Sequence, residues 1–568
     1  MIKINKKERN RAFILFILFS IWVLFIVYKL VKIQVFDYTK YISKVKSQSN
    51  RIFSLHPKRG TIYDCNGDVL AISIKTKSAF LSNKDKEESM KIYRLLSKKI
   101  SLTIGERRNI KKRINKNRKF IWIKRKLEDR EYEKLKKIKN NLSSKSTLGF
   151  IDEYKRIYPQ KDLASHALGG VGVDEQGLCG IEYSVDSLIR GKGGKVKVLI
   201  DARGKIFEIE YLKQPVAGKD IFLSIDSSIQ FFVEKELKRT LEKFRAKKGS
   251  VIVMNSKDSS ILAMASYPFY DPSRIKYTSQ RVLKNTAVSF LYDPGSTFKI
   301  ILASSALENG VCYPQQVFNC YNGIFHIKNR TIYDIHPYER LTFEKIIINS
   351  SNIGAARIGL RLGKEKYYRT LKNFGFGSKT GINLPAEEYG ILNSLKRWTN
   401  ISVAFLSFGY EIAVTPIQMV RAFNVIAAGG YLIKPNILKG VDGIVLPKVR
   451  KIKILSPSTV HIMTSIMIEV VKTGTGKQTK IEGIDIAGKT GTAKKLKNGR
   501  YEDYYVSSFG GFFPAQDPKI TMFIVIDEPK GKYYGGEVAA PLFKRIAKRL
   551  LIYLNIFPEL DKRNEIRI

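Results

Sequence analysis

Ser296-Thr297-Phe298-Lys299 places a hydroxyl and an amine three residues apart, directly after the chain-breaking Asp293-Pro294-Gly295. Pro294 and Gly295 predict a helix that opens at Ser296, runs amphipathically through Leu307 and stops at Gly310. On such a helix Ser296 and Lys299 share one face, with Cβ atoms about 5–6 Å apart. A serine hydroxyl becomes a nucleophile once a base takes its proton, and lysine can be that base only as a neutral amine, well below its ordinary pKa of about 10.4. A second cation nearby would push it that way, and Lys489 is the candidate. The helix N-terminus beneath Ser296 would also favour developing negative charge. Taken alone, Ser-x-x-Lys at a helix start is more often a capping serine and a surface lysine, so the assignment needs partners.

Two further clusters supply them. Asn349-Ser350-Ser351-Asn352 lies between a helix-like stretch at 342–348 and a small-residue stretch at 354–359, a predicted helix-helix corner that can point side chains into a cleft. A Ser350 hydroxyl there could relay a proton between Lys299 and a leaving amine, and the Asn352 amide could orient Lys299 and hold a substrate peptide bond. An ordinary N-cap accounts for this loop equally well in isolation. The third cluster is Lys489-Thr490-Gly491-Thr492. Residues 483–490 also satisfy the phosphate-loop pattern Gly-x4-Gly-Lys-Thr, but that motif needs a glycine-rich loop between a strand and a helix. Here Ile484 and Ile486 alternate within the would-be loop and Asn498-Gly499 turns the chain back, so a strand is expected instead. A strand carrying Lys489 and Thr490, with backbone access at Gly491, lets an extended substrate add alongside. The hydroxyls of Thr490 and Thr492 could then bind a terminal carboxylate while Lys489 supplies charge.

The elements around these clusters read as a sheet covered by helices. Residues 223–226 look like a strand ending in a helix cap, after which Ile229, Val233 and Leu237 repeat at helical intervals. Two apolar strands at 249–255 and 260–266 are joined by a polar turn, further strands are expected at 506–513 and 520–526, and a helix at 539–553 closes the domain. Before residue 210 the chain is rich in short β-like segments, with Asn66-Gly67 a strong hairpin turn. Dense Lys and Arg at 104–140, with apolar residues at helical spacing from Leu127 to Ile138, read as a solvated helix face.

At 568 residues the chain should hold more than one folded unit. Its 100 Lys+Arg against 51 Asp+Glu leave a net charge of +49 that is spread along the whole sequence. Compositional bias accounts for the surplus, and with no nucleic-acid module present no nucleic-acid partner is expected. Lys3, Lys6, Lys7, Arg9 and Arg11 precede a run without charge from Ala12 to Tyr28, which reads as an uncleaved membrane helix because no small-x-small cleavage site follows. The basic residues should stay in the cytoplasm and everything after about residue 31 should be exported. Cys65, Cys179, Cys312 and Cys320 match no metal-ligand spacing, so no metal or other cofactor is expected. Cys312 and Cys320 could close a short loop as a disulfide or stand as two buried thiols.

Three weak signals in this order and spacing make the chain similar to the class B penicillin-binding proteins, most closely their division-specific septal peptidoglycan transpeptidases. The resemblance runs from the anchor to about residue 550. It includes Arg59 to Gly67, Arg156-Ile157-Tyr158-Pro159 and the stretch Val173 to Glu182, which look like the three motifs of the family's N-terminal module. Lys494-Lys495 and Lys532-Tyr533-Tyr534-Gly535-Gly536 point to the division branch. The implied fold is α+β: a penicillin-binding transpeptidase domain, an antiparallel sheet covered by helices, behind a β-rich N-terminal pedestal domain and a single transmembrane helix. The implied division is a cytoplasmic basic tail at 1–11, the transmembrane helix at 12–31, a juxtamembrane linker at 32–54, a pedestal or dimerisation-type module at 55–212, the transpeptidase domain at 213–557 and a C-terminal tail at 558–568.

The resemblance further implies that Ser296 is acylated by the penultimate D-Ala of a stem pentapeptide ending in D-Ala-D-Ala, expelling the terminal D-Ala, and that an amine of a neighbouring stem takes the acyl group. Lys299 would be the base, Ser350 and Asn352 the relay and orienting groups, and Lys489 and Thr490 the electrostatic and carboxylate groups, beside Gly491 and Thr492. Backbone N–H groups of Ser296 and Thr492 would form an oxyanion hole. β-Lactams would acylate the same serine. Expected partners are the inner membrane, a membrane peptidoglycan glycosyltransferase of the shape/elongation/division/sporulation family and other division proteins, with the catalytic domain in the periplasm. Cys65, Asn255, Asp293 and Glu411 depart from the family's usual arginine, aspartate, glutamate and glycine. A D,D-carboxypeptidase or β-lactamase shares the serine chemistry, an elongation-branch transpeptidase shares the fold, and a noncatalytic division scaffold would share neither requirement at Ser296.

Overall fold

The structure, a computed structural model, describes residues 6–41, 50–82, 85–118, 120–142, 148–200, 206–447, 450–497 and 499–556. They fall into two compact units, one comprising the chain up to Pro57 together with Gly191–Ala217, the other Lys58–Arg190 together with the chain from Gly218 onward. In the first unit the apolar run forms the helix Lys6–Val31, with five residues of π-helix after it at Lys32–Phe36. Twenty-six residues give about 39 Å of helix, more than the ~30 Å of a bilayer's hydrocarbon core. Phe13, Leu15, Phe16, Leu24 and their apolar neighbours are exposed on all sides. The helix fits a single-pass membrane anchor. The same unit contains a three-stranded antiparallel sheet of Asn50–Leu55, Gly194–Ile200 and Ile206–Lys213.

In the second unit Asn66-Gly67 turns the chain between the strands Ile62–Tyr63 and Val69–Ser82, with Gly67 at φ +94°. The Asp64 carboxylate tightens the turn by accepting from the backbone N–H groups of Asn66 and Asp68, both at 2.8 Å. Val69–Ser82 pairs on with Phe120–Lys124 and Leu148–Ile157. The basic stretch folds as the helices Ile104–Asn115 and Asp129–Asn140, which bury Ile110, Ile114 and Leu135 and leave most of their Lys and Arg side chains in solvent. Ile62–Tyr63 also runs parallel to Ile221–Leu223, which in turn pairs antiparallel with Leu438–Val441. A single sheet therefore ties the N-terminal module to segments that belong to the catalytic half.

Beside that sheet lies a buried ion cluster. Arg59 Nε and Arg156 Nε each reach the Glu182 carboxylate at 2.7 Å, Arg59 Nη1 reaches Asp186 at 2.5 Å, and the Tyr158 hydroxyl donates to Glu182 at 3.1 Å. The two guanidinium groups hold the fully buried Glu182 carboxyl below its ordinary range, against the opposing effect of burial. The cluster forms without Cys65, whose thiol lies 3.8 Å from Asp226.

The catalytic half is built on a five-stranded antiparallel sheet in the order Ile261–Tyr267, Lys248–Asn255, Ile520–Asp527, Arg500–Phe513, Ala487–Lys497. All eight residues of Ile520–Asp527 are buried, as a central strand covered on both faces requires. Each large aliphatic side chain withdrawn from water there contributes about 1.5–3 kcal/mol before entropy is counted. Ser227–Lys243 and Gly535–Tyr553 cover one face, and Asp226 caps the former by accepting from the N–H groups of Ser228 and Ile229, both at 3.0 Å. Pro416–Ala427 and Pro457–Lys472 cover the other. Gly510 permits this closeness, since a Cβ there would lie 2.7 Å from the Phe423 ring.

The helix after Ser296 differs from its expected form. A 3-10 turn, Gly295–Phe298, leads into the α-helix Lys299–Glu308, and every residue from Lys299 to Ala306 is buried. It packs among Asn352–Leu362, Lys364–Asn373 and Pro457–Lys472, so it is a core helix and not an amphipathic one. Its small Ala303, Ser304, Ser305 and Ala306 are what let neighbours approach on all sides. It stops as predicted, at Gly310 with φ +63°.

Replacing Glu182 by Ala would leave two guanidinium groups buried without their anion. The expected cost is about 3–5 kcal/mol, seen as a lowered urea unfolding midpoint of this unit. A midpoint equal to wild type would show that the cluster does not hold the module together.

Candidate active site

Ser296 occupies the 3-10 turn, braced by the Gly295 N–H donating to Gly409 O at 3.1 Å and by the Thr297 hydroxyl donating to Pro294 O at 2.8 Å. It lines a cleft of about 530 Å³ together with Ser350, Asn352, Thr490 and Thr492, while Phe408, Tyr410 and Tyr534 add aromatic walls. Lys299 and Lys489 lie beneath the floor, both with no exposed surface. Between Thr490 and Thr492, a Cβ on Gly491 would meet the Ser508 hydroxyl at 2.4 Å and Thr297 at 2.8 Å. The smallness of Gly491 therefore admits the Ser296 turn against the strand.

Ser350 is the hub. Lys299 Nζ donates to its carbonyl at 2.5 Å and lies 3.3 Å from its hydroxyl, while Lys489 Nζ donates to the same hydroxyl at 2.9 Å. The third contact of Lys299 Nζ is Asn352 Oδ1 at 2.8 Å. Asn352 Nδ2 donates to Tyr333 O at 3.0 Å, which fixes the amide with its oxygen towards the lysine. Ser350 itself sits in the left-handed region at φ +62°, a conformation that costs energy for any residue with a Cβ. The following residue, Ser351, is the N-cap of Asn352–Leu362, with its hydroxyl accepting from Gly354 N–H at 2.9 Å. The capping that could have explained this loop thus falls to Ser351 and leaves Ser350 aimed at the lysines.

The charge state of the floor follows from burial. Loss of water lowers the Lys299 amine to about 7, and the Asp334 carboxylate opposes that shift. Lys489 is pushed well below its ordinary value by burial first and by the neighbouring Lys299 charge second. The expected cause at Lys299, repulsion from Lys489, is therefore corrected: desolvation dominates there, and the repulsion bears on Lys489. A hydroxyl offers two lone pairs and one proton, so with both amines donating to Ser350 its own proton is left to point into the cleft.

Lys489 and Thr490 stand on Ala487–Lys497, the strand at the end of the sheet order, which among the described residues pairs with Arg500–Phe513 on one side and with no strand on the other. This is the expected strand and excludes the phosphate-loop alternative. The Thr492 hydroxyl accepts from Gly535 N–H at 2.9 Å, and Thr490 Oγ1 lies 2.6 Å from Thr475 Oγ1. Along this hairpin, the Tyr501 hydroxyl donates to Asp293 at 3.3 Å, tying it to the chain just before the Ser296 turn, and Lys494 N–H donates to Tyr410 OH at 3.3 Å. Glu411 carries φ +58° where the resemblance would place a glycine.

Two residues of the site had no signal in the sequence pattern. Asp334 accepts from the Ser351 hydroxyl and Asn352 N–H at 2.5 Å and from Ile353 N–H at 3.1 Å, pinning the hub from a separate hairpin. Thr475 comes from the loop after Pro457–Lys472, where Thr473-Gly474-Thr475-Gly476 marks a break without marking a ligand. Cys312 and Cys320 are buried free thiols, with Cys320 3.8 Å from the Ser351 hydroxyl. Among the described residues no group of three or more His, Cys, Asp or Glu could hold a metal ion.

Comparison with known proteins gives this geometry its context. Residues 249–548 match the penicillin binding protein transpeptidase domain, and residues 54–223 match the penicillin-binding protein dimerisation domain. The peptidoglycan D,D-transpeptidase FtsI of Buchnera aphidicola is 32% identical over 98% of this chain and 97% of its own length. Stage V sporulation protein D of Bacillus subtilis is 34% identical over 92% of this chain and 82% of its own. Among solved structures, penicillin binding protein 3 of Mycobacterium tuberculosis, complexed with aztreonam, superimposes with a TM-score of 0.69 at 26% identity, over 89% of this chain and 98% of that one. With both domain families matched in order and relatives this similar along nearly its whole length, the chain belongs to the class B penicillin-binding proteins and is a serine-type D-Ala-D-Ala transpeptidase of peptidoglycan.

Proposed function

We propose that this transpeptidase cross-links stem peptides at the division septum, and that Ser296, Lys299, Ser350, Asn352 and Lys489 carry the chemistry. The observation that carries the chemical assignment is the pair of buried amines converging on the Ser350 hydroxyl beside Ser296. Lys299, neutral near pH 7, takes the Ser296 proton as Oγ attacks the carbonyl of the penultimate D-Ala. The oxyanion is received by the N–H groups of Ser296 and Thr492, each donor worth roughly 3–4 kcal/mol in the transition state. Ser350 passes its proton to the departing amine of the terminal D-Ala and is resupplied through the lysines. The acyl group then leaves Ser296 for the amine of a neighbouring stem, by the same steps reversed. Asn352 holds Lys299 in line, Lys489 polarises the Ser350 hydroxyl by donating to it, and Thr490 and Thr492 receive the terminal carboxylate. The open side of Ala487–Lys497 accommodates the stem as an added strand, and a β-lactam enters as its rigid mimic.

The septal assignment is supported by similarity to a relative named FtsI along almost the full length of both chains, and by Lys494-Lys495 and Lys532 to Gly536. The similarity to a sporulation protein is the observation favouring a second reading, a developmental cross-linking role. By the charge flanking the helix, the basic N-terminus lies in the cytoplasm and the catalytic half outside the inner membrane. A membrane glycosyltransferase that polymerises the glycan, together with other division proteins, would be its partners.

Mass-spectrometric mapping of a labelled penicillin should place the adduct on Ser296, and Ser296→Ala should abolish it; an adduct on any other residue would sink the catalytic assignment. The acylation rate should fall as pH drops below about 7, where Lys299 gains a proton and ceases to be a base, and level off above it. An acid limb that is absent down to pH 5 would remove Lys299 from that role. Cells whose sole copy carries Ser296→Ala should elongate without completing septa, and normal septation in them would reject the septal reading.

A further inference from the structure

Thr475 faces the cleft, yet the steps above leave it without a task. Its loop is held from three sides. The N–H groups of Thr473 and Gly474 donate to Glu469 O at 2.9 and 3.1 Å, and that of Gly476 donates to Val470 O at 2.9 Å. Gly474 lies so close to the end of Phe343–Ile348 that a Cβ on it would fall 2.5 Å from Ile348 O, and a Cβ on Gly536 would fall 2.8 Å from Thr475 O. The backbone of Thr475 is thus fixed between the hub loop and the start of Gly535–Tyr553 while its side chain is exposed in the cleft. There its hydroxyl makes one short contact, 2.6 Å to Thr490 Oγ1.

We propose that Thr475 is a positioning residue that fixes the Thr490 hydroxyl as a hydrogen-bond donor to the terminal carboxylate of the stem peptide. This rests on the assignment of that carboxylate to Thr490. A threonine hydroxyl has one proton and turns freely about its C–O bond. In a hydrogen bond between two hydroxyls, one donates and the other accepts. If Thr475 donates, the Thr490 oxygen is occupied from behind and its proton points at the ligand. If Thr490 donates to Thr475 instead, an arriving carboxylate meets lone pairs. The arrival of an anion selects the first arrangement, and a donor whose acceptor side is already engaged is polarised in the direction that strengthens it. Without Thr475 the rotor must be ordered by the substrate alone. Carboxylate recognition then weakens while the nucleophile, both lysines and Ser350 are untouched.

The test uses the membrane-anchored full chain and two acyl donors: an N-acyl-D-alanyl thioglycolate, whose leaving group carries a carboxylate, and its carboxamide analogue. Thr475→Val should lower kcat/KM for acylation by the carboxylate about tenfold, the worth of one hydrogen bond to a charged group, and leave the carboxamide within about twofold. Thr475→Ser should restore the carboxylate rate. Thr490→Val should show the same selective loss, and Thr475→Val added to it should cause no further loss, because the first residue acts through the second. Equal losses on both donors for Thr475→Val would mean that Thr475 only supports the fold and would overturn the proposal. So would an unchanged carboxylate rate in Thr475→Val while Thr490→Val remains impaired, or losses in the double variant that simply add. A Thr490→Val enzyme that does not distinguish the donors would instead reject the carboxylate assignment of Thr490, and this proposal with it.

Discussion

Two amines buried around one hydroxyl cannot both remain cationic, and much of the catalytic half is arranged to keep them there. Taking an ammonium out of water costs several kcal/mol, and two within reach of Ser350 Oγ would add mutual repulsion. Burial lowers the Lys299 amine to about 7, and burial together with the Lys299 charge pushes Lys489 down as well, so burial itself brings an amine into the physiological titration range. Every support around them preserves that burial. The helix Lys299–Glu308, buried as far as Ala306, closes one side, the sheet closes another, and Asp334 holds Ser351 and Asn352 so that the strained Ser350 cannot relax out of reach. Its carboxylate also limits how far Lys299 falls. A lysine shifted much further would be neutral but too weak a base to take a serine proton.

The second constraint is backbone supply. An extended peptide needs unpaired N–H and C=O groups, which proteins usually hide because exposed strand edges aggregate. Ala487–Lys497 keeps its edge beside a cleft walled by Phe408, Tyr410 and Tyr534, where a small ligand fits better than another sheet. The contact of Tyr501 with Asp293 holds the hairpin onto the chain just before Ser296, and that of Lys494 with Tyr410 anchors it to the cleft wall, so the strand and the Ser296 turn share one frame.

How far the sequence revealed this depended on range. The strand at Lys489 was legible because alternation and a following Asn-Gly turn are local properties, and so were the Asn66-Gly67 hairpin and the Asp226 cap. The helix after Ser296 was misjudged because Thr297, Ser304 and Ser305 look polar in a pattern, although in a crowded core small hydroxylated residues are admitted for their size. Repulsion was assigned to Lys299 because spacing reveals neighbours but not solvent exclusion. Asp334 and Thr475 were invisible because each meets the site only after distant segments have folded against it, and a lone aspartate or threonine in a loop carries no period. At Glu411, where the family usually has glycine, the chain holds positive φ without it, which the departure from the pattern alone did not reveal.

The sheet that joins Ile62–Tyr63 to Ile221–Leu223 and on to Leu438–Val441 also dictates an order of assembly. Its strands are contributed by residues near 62, 221 and 440, so Ile62–Tyr63, paired early on one side with Val69–Ser82, keeps its other edge open until residue 221 and beyond have emerged. Contacts this remote in sequence form slowly, and the early strands wait with unpaired edges. The sheet at the junction is therefore a long-range closure, completed only when the segment at 438–441 joins strands made hundreds of residues earlier.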